Sequence, residues 1–204
     1  MGAQGSLPTC CCVADFGSQY QVTNFFEGEI PSGIGNLKKF EVFRAGRNKN
    51  LKDSIPKEIG NCNELQNLYL YQNSISSPIP RQVGQPSKPQ SLLLWQNSLV
   101  GTIPDELGNC RELIVVDLLE NLLTCSIPSN IGKLSKFQEL QLRVNHLSGT
   151  IPVEILNCTE FTHLKIDNHT LSGEIPINVG KLKSLTIFFT WQNMLTGNIP
   201  DSLS

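Results

Sequence analysis

Apolar positions along this chain repeat with a period of 24. An Ile-Pro pair returns eight times, at Ile30-Pro31, Ile55-Pro56, Ile79-Pro80, Ile103-Pro104, Ile127-Pro128, Ile151-Pro152, Ile175-Pro176 and Ile199-Pro200, in one step of 25 residues and six of 24. Superposing the segments gives L-x-x-L-x-x-L-x-L-x-x-N-x-L-x-G-x-I-P, well shown by Leu134, Phe137, Leu140, Leu142, Asn145, Leu147, Gly149, Ile151 and Pro152. A fixed period in the twenties predicts a solenoid, because one such repeat cannot bury its apolar face without its neighbours. The x-L-x-L-x section alternates, so it predicts a short strand with leucines inward and the x positions on one shared face. The asparagine column (Asn48, Asn73, Asn97, Asn121, Asn145, then His169, then Asn193) offers amides to main-chain groups of adjacent turns. Glycine permits the bend that follows, and proline stops regular pairing on the outer side. The expected fold is a right-handed α/β solenoid with a concave parallel sheet and short 3-10 or irregular convex segments.

The repeat assigns residues 19–204 to one domain of about eight repeats, although Gln19 and Gln21 stand where core leucines belong. Residues 1–18 fit nothing. Several positions break the rule: Pro86 and Pro89 occupy two leucine columns, while Asp53, Ser77 and Cys125 occupy the glycine column. An extra residue within 48–51 explains the single longer step. A side chain where the turn wants positive φ costs on the order of 1 kcal/mol, and Leu→Pro in a core column about 3 or more. A weak fourth repeat is expected.

Composition then narrows the function. With 204 residues, 39% of them hydrophobic, the chain is long enough for a substantial core, and a net charge of -2 gives no bulk case for nucleic acid or an acidic membrane. No apolar run is long enough to span a bilayer, and the first 20 residues lack a signal-peptide core. Cys62, Cys110 and Cys158 share one phase with Leu37, Leu134 and Leu182, so they read as small buried hydrophobes rather than metal ligands or disulfides. Met1-Gly2-Ala3-Gln4-Gly5-Ser6 fits an N-myristoylation pattern, and Cys10-Cys11-Cys12 would offer palmitate sites, which points instead to the cytosolic side of a membrane. No Gly-rich kinase loop, His-Arg-Asp or Asp-Phe-Gly occurs, and nothing calls for a cofactor or metal. Two sequons, at Asn157 and Asn168, suit a secreted protein.

The outward strand positions form the candidate binding surface. They include Arg44, Gly46, Arg47, Tyr69, Tyr71, Leu93, Trp95, Asp117, Arg143, Lys165, Asp167, Phe189 and Trp191. Large aromatics beside arginines on one face have the composition of a recognition hot spot.

The L-x-G-x-I-P section resembles the plant-type leucine-rich repeat over residues 24–204. The run from Phe43 to Leu51, with the Tyr-Gln-Asn and two Trp-Gln-Asn strand ends, is similar to ectodomains of plant receptor-like kinases for secreted peptides, the root meristem growth factor receptors above all. In that group an Arg-x-Gly-Gly motif recognises a sulfated tyrosine. Arg44 and Gly46 fit its first and third positions, the glycine letting the ligand approach the backbone, while Arg47 replaces the last glycine, where it either crowds the ligand or adds a cation. The group's Arg-x-Arg pair, which holds the peptide's C-terminal carboxylate, occurs nowhere here. The resemblance implies a non-enzymatic, peptide-binding part of an ectodomain on the outer face of the plasma membrane. Its implied partners are a secreted peptide and a co-receptor of the somatic embryogenesis receptor kinase type. The paired-cysteine caps of the family are missing, so the sequence looks like a slice of a receptor. The alternatives are an inhibitor of the polygalacturonase-inhibiting type and a remnant without function.

Overall fold

The computed structural model describes residues 25–203 except Ser87. The myristoylation pattern, Cys10-Cys11-Cys12 and the rest of the N-terminal segment lie outside the described residues. No helix among the described residues is long and apolar enough to cross a membrane.

Seven three-residue strands, Val42–Arg44, Asn67–Tyr69, Ser91–Leu93, Val115–Asp117, Glu139–Gln141, His163–Lys165 and Ile187–Phe189, form one parallel sheet in sequence order. Equivalent positions pair without slippage: Arg44 with Tyr69, Tyr69 with Leu93, Leu93 with Asp117, Asp117 with Gln141, Gln141 with Lys165, and Lys165 with Phe189. The alternate residues, Phe43, Leu68, Leu92, Val116, Leu140 and Leu164, are buried. The convex segments are 3-10 turns, each of the first six opening directly after the proline of an Ile-Pro pair. That proline already holds an extended backbone at φ near -68° and gives up no needed N–H.

A second ribbon of parallel strands runs beside the main sheet and was not expected from the sequence. It comprises Glu27–Gly28, Asn50–Asp53 and Ser74–Ile75, then Val100–Gly101, Leu122–Cys125, His146–Gly149, Thr170–Glu174 and Met194–Thr196, with a bridge from Pro78 to Val100 between the two groups. These strands fall on the L-x-G sections, where Leu51, Ile75, Leu123, Leu147 and Leu171 are buried. In the glycine column, Asp53 and Cys125 are forced to φ 68° and 66°, as expected, whereas Ser77 is not among the positive-φ residues.

The asparagine column clamps each turn to the one before. Nδ2 of Asn121 donates to Leu118 O (3.0 Å) and to Leu94 O of the preceding repeat (3.1 Å), while its Oδ1 accepts the Leu99 N–H (3.0 Å). Asn97, Asn145 and Asn193 repeat that pattern. His169 breaks it. Its ring nitrogens are buried and turned toward the Leu142 and Asn145 carbonyls without reaching hydrogen-bond geometry.

On the convex side, glycine allows successive turns to touch. A β-carbon on Gly108 or Gly132 would sit 2.3 or 2.2 Å from the Asn130 or Glu154 carbonyl oxygen of the next repeat. Leu156 takes this glycine's place in the sixth repeat. Its own turn, Val153–Asn157, makes only sparse contact with the next, Val179–Lys181, which begins late, after Asn178 rather than Pro176.

The three phased cysteines are fully buried, as expected, and each thiol points at a carbonyl of an earlier turn: Cys62 at Ile34 (3.3 Å), Cys110 at Val83 (3.8 Å) and Cys158 at Ile131 (3.3 Å). Burial raises all three thiol pKa values, to about 11 for Cys110 and Cys158. They are poor nucleophiles.

Around Pro86 and Pro89 the turn loses two bonds. Elsewhere Cys62 N–H bonds Ile59 O and Leu65 N–H bonds Cys62 O. The prolines that replace those residues have no N–H to give. The 3-10 turn there is one residue short, Arg81–Gly84, and an apolar void of about 20 Å³ lies between Val83, Pro86, Pro89, Leu92 and Leu113.

Candidate functional site

The predicted surface residues do share one face of the seven-stranded sheet, in three columns. The first carries Arg44, Tyr69, Leu93, Asp117, Gln141, Lys165 and Phe189. Two residues further along each repeat come Gly46, Tyr71, Trp95, Leu119, Arg143, Asp167 and Trp191. The third column, Arg47, Gln72, Gln96, Glu120, Val144, Asn168 and Gln192, closes each strand with a left-handed backbone, φ between 51° and 63°. Sequence pattern did not reveal this. None of the seven is glycine, so each stores about 1 kcal/mol of strain, held by the asparagine bonds that follow.

At the N-terminal end, cations lie against aromatic rings. The Arg44 guanidinium carbon is 5.0 Å from the Tyr69 ring centre and that of Arg47 is 6.0 Å from Tyr71. The phenol of Tyr69 donates to Asn67 Oδ1 (3.1 Å), which fixes the ring. Tyr71 and Trp95 stack in parallel, 4.7 Å apart at 2°. Tyr71 in turn fills the space beside Gly46. The glycine expected to admit a ligand to the backbone is therefore the seat of a tyrosine.

Beside this shelf the third column forms a chain of side-chain bonds. Arg47 Nε donates to Gln72 Oε1 (3.1 Å), Gln72 Nε2 to Gln96 Oε1 (2.7 Å), and Gln96 Nε2 to Glu120 Oε2 (2.7 Å). A row of amides bridging a cation to a carboxylate has a fixed polarity, and Val144 ends it. Arg47 is thus anchored sideways rather than swung over Arg44.

The middle of the face is acidic. Burial pushes the Asp117 carboxyl up to about 6, against the Leu119 N–H that bonds its Oδ1 (3.1 Å) and the charge of Lys165. Toward the C-terminal end, Lys165 Nζ lies 5.9 Å from the Phe189 ring centre and 3.4 Å from Gln141 Oε1. Arg143 reaches past one repeat to Trp191, 5.4 Å away, and pairs with Asp167 between them. Asp167 was counted among outward positions, yet it is fully buried. Nothing in its own repeat signals this, since its cover comes from residues 24 positions away on either side.

The sequons differ in setting. Asn157 is exposed at the end of a convex turn. Asn168 is half-buried at the strand end, its N–H bonded to Trp191 O (2.9 Å), and Thr170 Oγ1 donates to Leu147 O (3.0 Å). Among the described residues, no three His, Cys, Asp or Glu are grouped to hold a metal.

Residues 88–110 match the family model described as Leucine Rich Repeat. No curated protein matches the chain. Among solved structures, the plant peptide hormone receptor RGFR1 in complex with RGF2 is similar at 50% identity and TM-score 0.71, over 88% of this chain and 36% of that one. The Arabidopsis receptor kinase HAESA, in complex with the peptide hormone IDA and the co-receptor SERK1, is similar at 34% identity and TM-score 0.81, over 87% and 31%. The ectodomain of the receptor kinase SOBIR1 from Arabidopsis thaliana is similar at 31% identity and TM-score 0.57, over 60% and 67%. The chain spans about a third of the length of the first two.

Proposed function

Because this chain belongs to the leucine-rich repeat ectodomains of plant receptor kinases, we propose that its concave face captures an extended secreted peptide as one part of a receptor. The observation that carries this reading is the in-register run of cations and rings: Arg44 on Tyr69, Arg47 on Tyr71, Tyr71 on Trp95, Lys165 on Phe189 and Arg143 on Trp191. Rigid aromatic area with a charged rim suits a ligand held by hot spots rather than by a closed pocket.

The run spans six repeat steps, roughly 29 Å at about 4.8 Å each, which an extended peptide covers in about nine residues. Arg44 takes an acidic or sulfated tyrosine residue of that peptide, since a guanidinium forks onto an oxyanion while its face rests on a ring. Tyr69, Leu93 and Trp95 cover the apolar side chains that follow. HAESA was solved with the co-receptor SERK1, and a co-receptor of that type is the proposed second partner here, at the outer face of the plasma membrane. Asn157 and Asn168 are the glycan acceptors in this reading. The chain supplies ligand capture and no catalysis.

Titration calorimetry with synthetic peptides carrying a sulfated or an unsulfated N-terminal tyrosine tests the assignment. Arg44→Ala is expected to abolish the preference for sulfate, worth about 1.5–3 kcal/mol for a charge-assisted bond. Trp95→Ala should weaken both peptides alike. An unchanged preference in Arg44→Ala overturns the sulfate site.

A further inference from the structure

Asp167 is a carboxylate with no accessible surface on a face that is otherwise open. Arg143 of the preceding repeat lies over it, with Nε 3.1 Å from Oδ2, and the Arg143 side chain remains 46% exposed. Neither carboxylate oxygen accepts a well-formed hydrogen bond. A buried charge in that state is costly, so it holds the nearest cation tightly above itself. Trp191 of the following repeat stands beside the same guanidinium, which is thereby fixed from beneath by a charge and from one side by a ring. Its two terminal nitrogens meet no acceptor among the described residues. Arginine carries five donors in a planar fork, and here only the Nε edge is engaged.

We propose that Arg143 is a preorganised second anion site, which takes a carboxylate of the ligand about six residues beyond the group held by Arg44. The site rests on the peptide reading above and specifies it. Arg143 stands four repeat steps from Arg44, roughly 19 Å at about 4.8 Å per step, or about six extended residues. Between the two arginines, Asp117 and Glu120 present carboxylates, so the intervening ligand residues are neutral or basic. The carboxylate comes either from an acidic side chain or from the peptide's own C-terminus; both have the same planar geometry. Asp167 is a positioning residue, acting through the orientation of Arg143.

The test uses four synthetic peptides that begin with sulfotyrosine. Two continue through the sixth following residue, placing Glu or Gln there, and two end at that residue as free acid or amide. Calorimetry is expected to show about tenfold tighter binding for the Glu member if a side chain is the source, or for the free acid if the C-terminus is, as one charge-assisted bond would give. Arg143→Ala and Arg143→Lys should both erase that factor while leaving the sulfate preference at Arg44 intact, because lysine keeps the charge but not the fork. Asp167→Asn should also lose most of it, although a purely coulombic site would bind anions more tightly once Asp167 is neutral. In the free protein, the Arg143 Nε chemical shift, which reports the ion pair, should move in Asp167→Asn.

Equal binding within both peptide pairs, with the sulfate preference retained, overturns the second site alone. A tenfold preference that survives in Arg143→Ala does the same. No binding by any peptide overturns the peptide reading and this site together.

Discussion

The phenol ring of Tyr71 lies where Gly46 lacks a side chain, its atoms 2.8 Å from the point a β-carbon would occupy. Gly46→Ala therefore pushes the ring away, and with it the Trp95 indole stacked at 4.7 Å. The backbone at Gly46 is not left-handed, so alanine itself is tolerated there. Expected is a loss of about 0.5–1.5 kcal/mol of aromatic stacking. It should appear as a changed near-ultraviolet dichroism signal and as weaker binding of sulfated and unsulfated peptides alike. A variant whose spectrum and affinity match the parent would show that the shelf does not depend on this contact.

Asp117 predicts an unusual pH response. Its carboxyl titrates at about 6 in the folded chain because burial disfavours the charge. The folded state thus keeps a proton that the unfolded chain releases near its ordinary value, and stability from this group falls as pH rises through roughly 4 to 6. Asp117→Asn retains an oxygen for the Leu119 N–H. It should stabilise the protein by roughly 2 kcal/mol at pH 7, with solvent access taken into account, and by almost nothing at pH 4. Urea unfolding at the two pH values measures this.

His169 predicts the opposite slope. Burial lowers its pKa, against the pull of the two carbonyls and of Asp167, so the unfolded chain binds a proton first and stability is lost as pH falls below about 6.5. His169→Asn removes that loss and restores the missing clamp to Ile166 O, Leu142 O and the Leu147 N–H. The expected gain is about 1–3 kcal/mol at pH 7, larger at pH 5.5. Unfolding curves of parent and variant at both values give the difference, in which the Asp117 contribution cancels.

The fourth repeat should open first among interior repeats. Two lost backbone bonds and the void beside Pro89 leave it held mainly by its neighbours. Native-state hydrogen exchange should find the amides of 84–92 less protected than those of 132–140. Equal protection would mean that the stacking around them outweighs both prolines.

The leucine columns, the strand register and the shared face of Tyr69, Trp95, Arg143 and Trp191 were legible in the sequence because one repeat, read several times over, averages out local noise. Features that arise between repeats were not. The second ribbon falls on the L-x-G sections, where glycine and the proline that follows read as a bend that stops pairing rather than as a strand. The left-handed column hides in ordinary polar residues such as Gln72 and Gln96 because the strain there is imposed by the asparagine clamp and not by local preference. Gly46 was read as an opening for a ligand, since the sequence cannot say that a side chain 25 positions later leans into it. Asp167 was read as exposed for the same reason.

Leu156 has an effect that reaches the opposite side of the molecule. The inner strands it adjoins, His163–Lys165 and Ile187–Phe189, keep their pairing, while its own outer turn barely touches the one that follows. Lengthening the outside of an arch without stretching the inside bends it more sharply at that joint. That joint lies directly behind the stretch across which Arg143 reaches from Asp167 to Trp191. One leucine on the back of the solenoid thus sits where the spacing of the grip on its front is set.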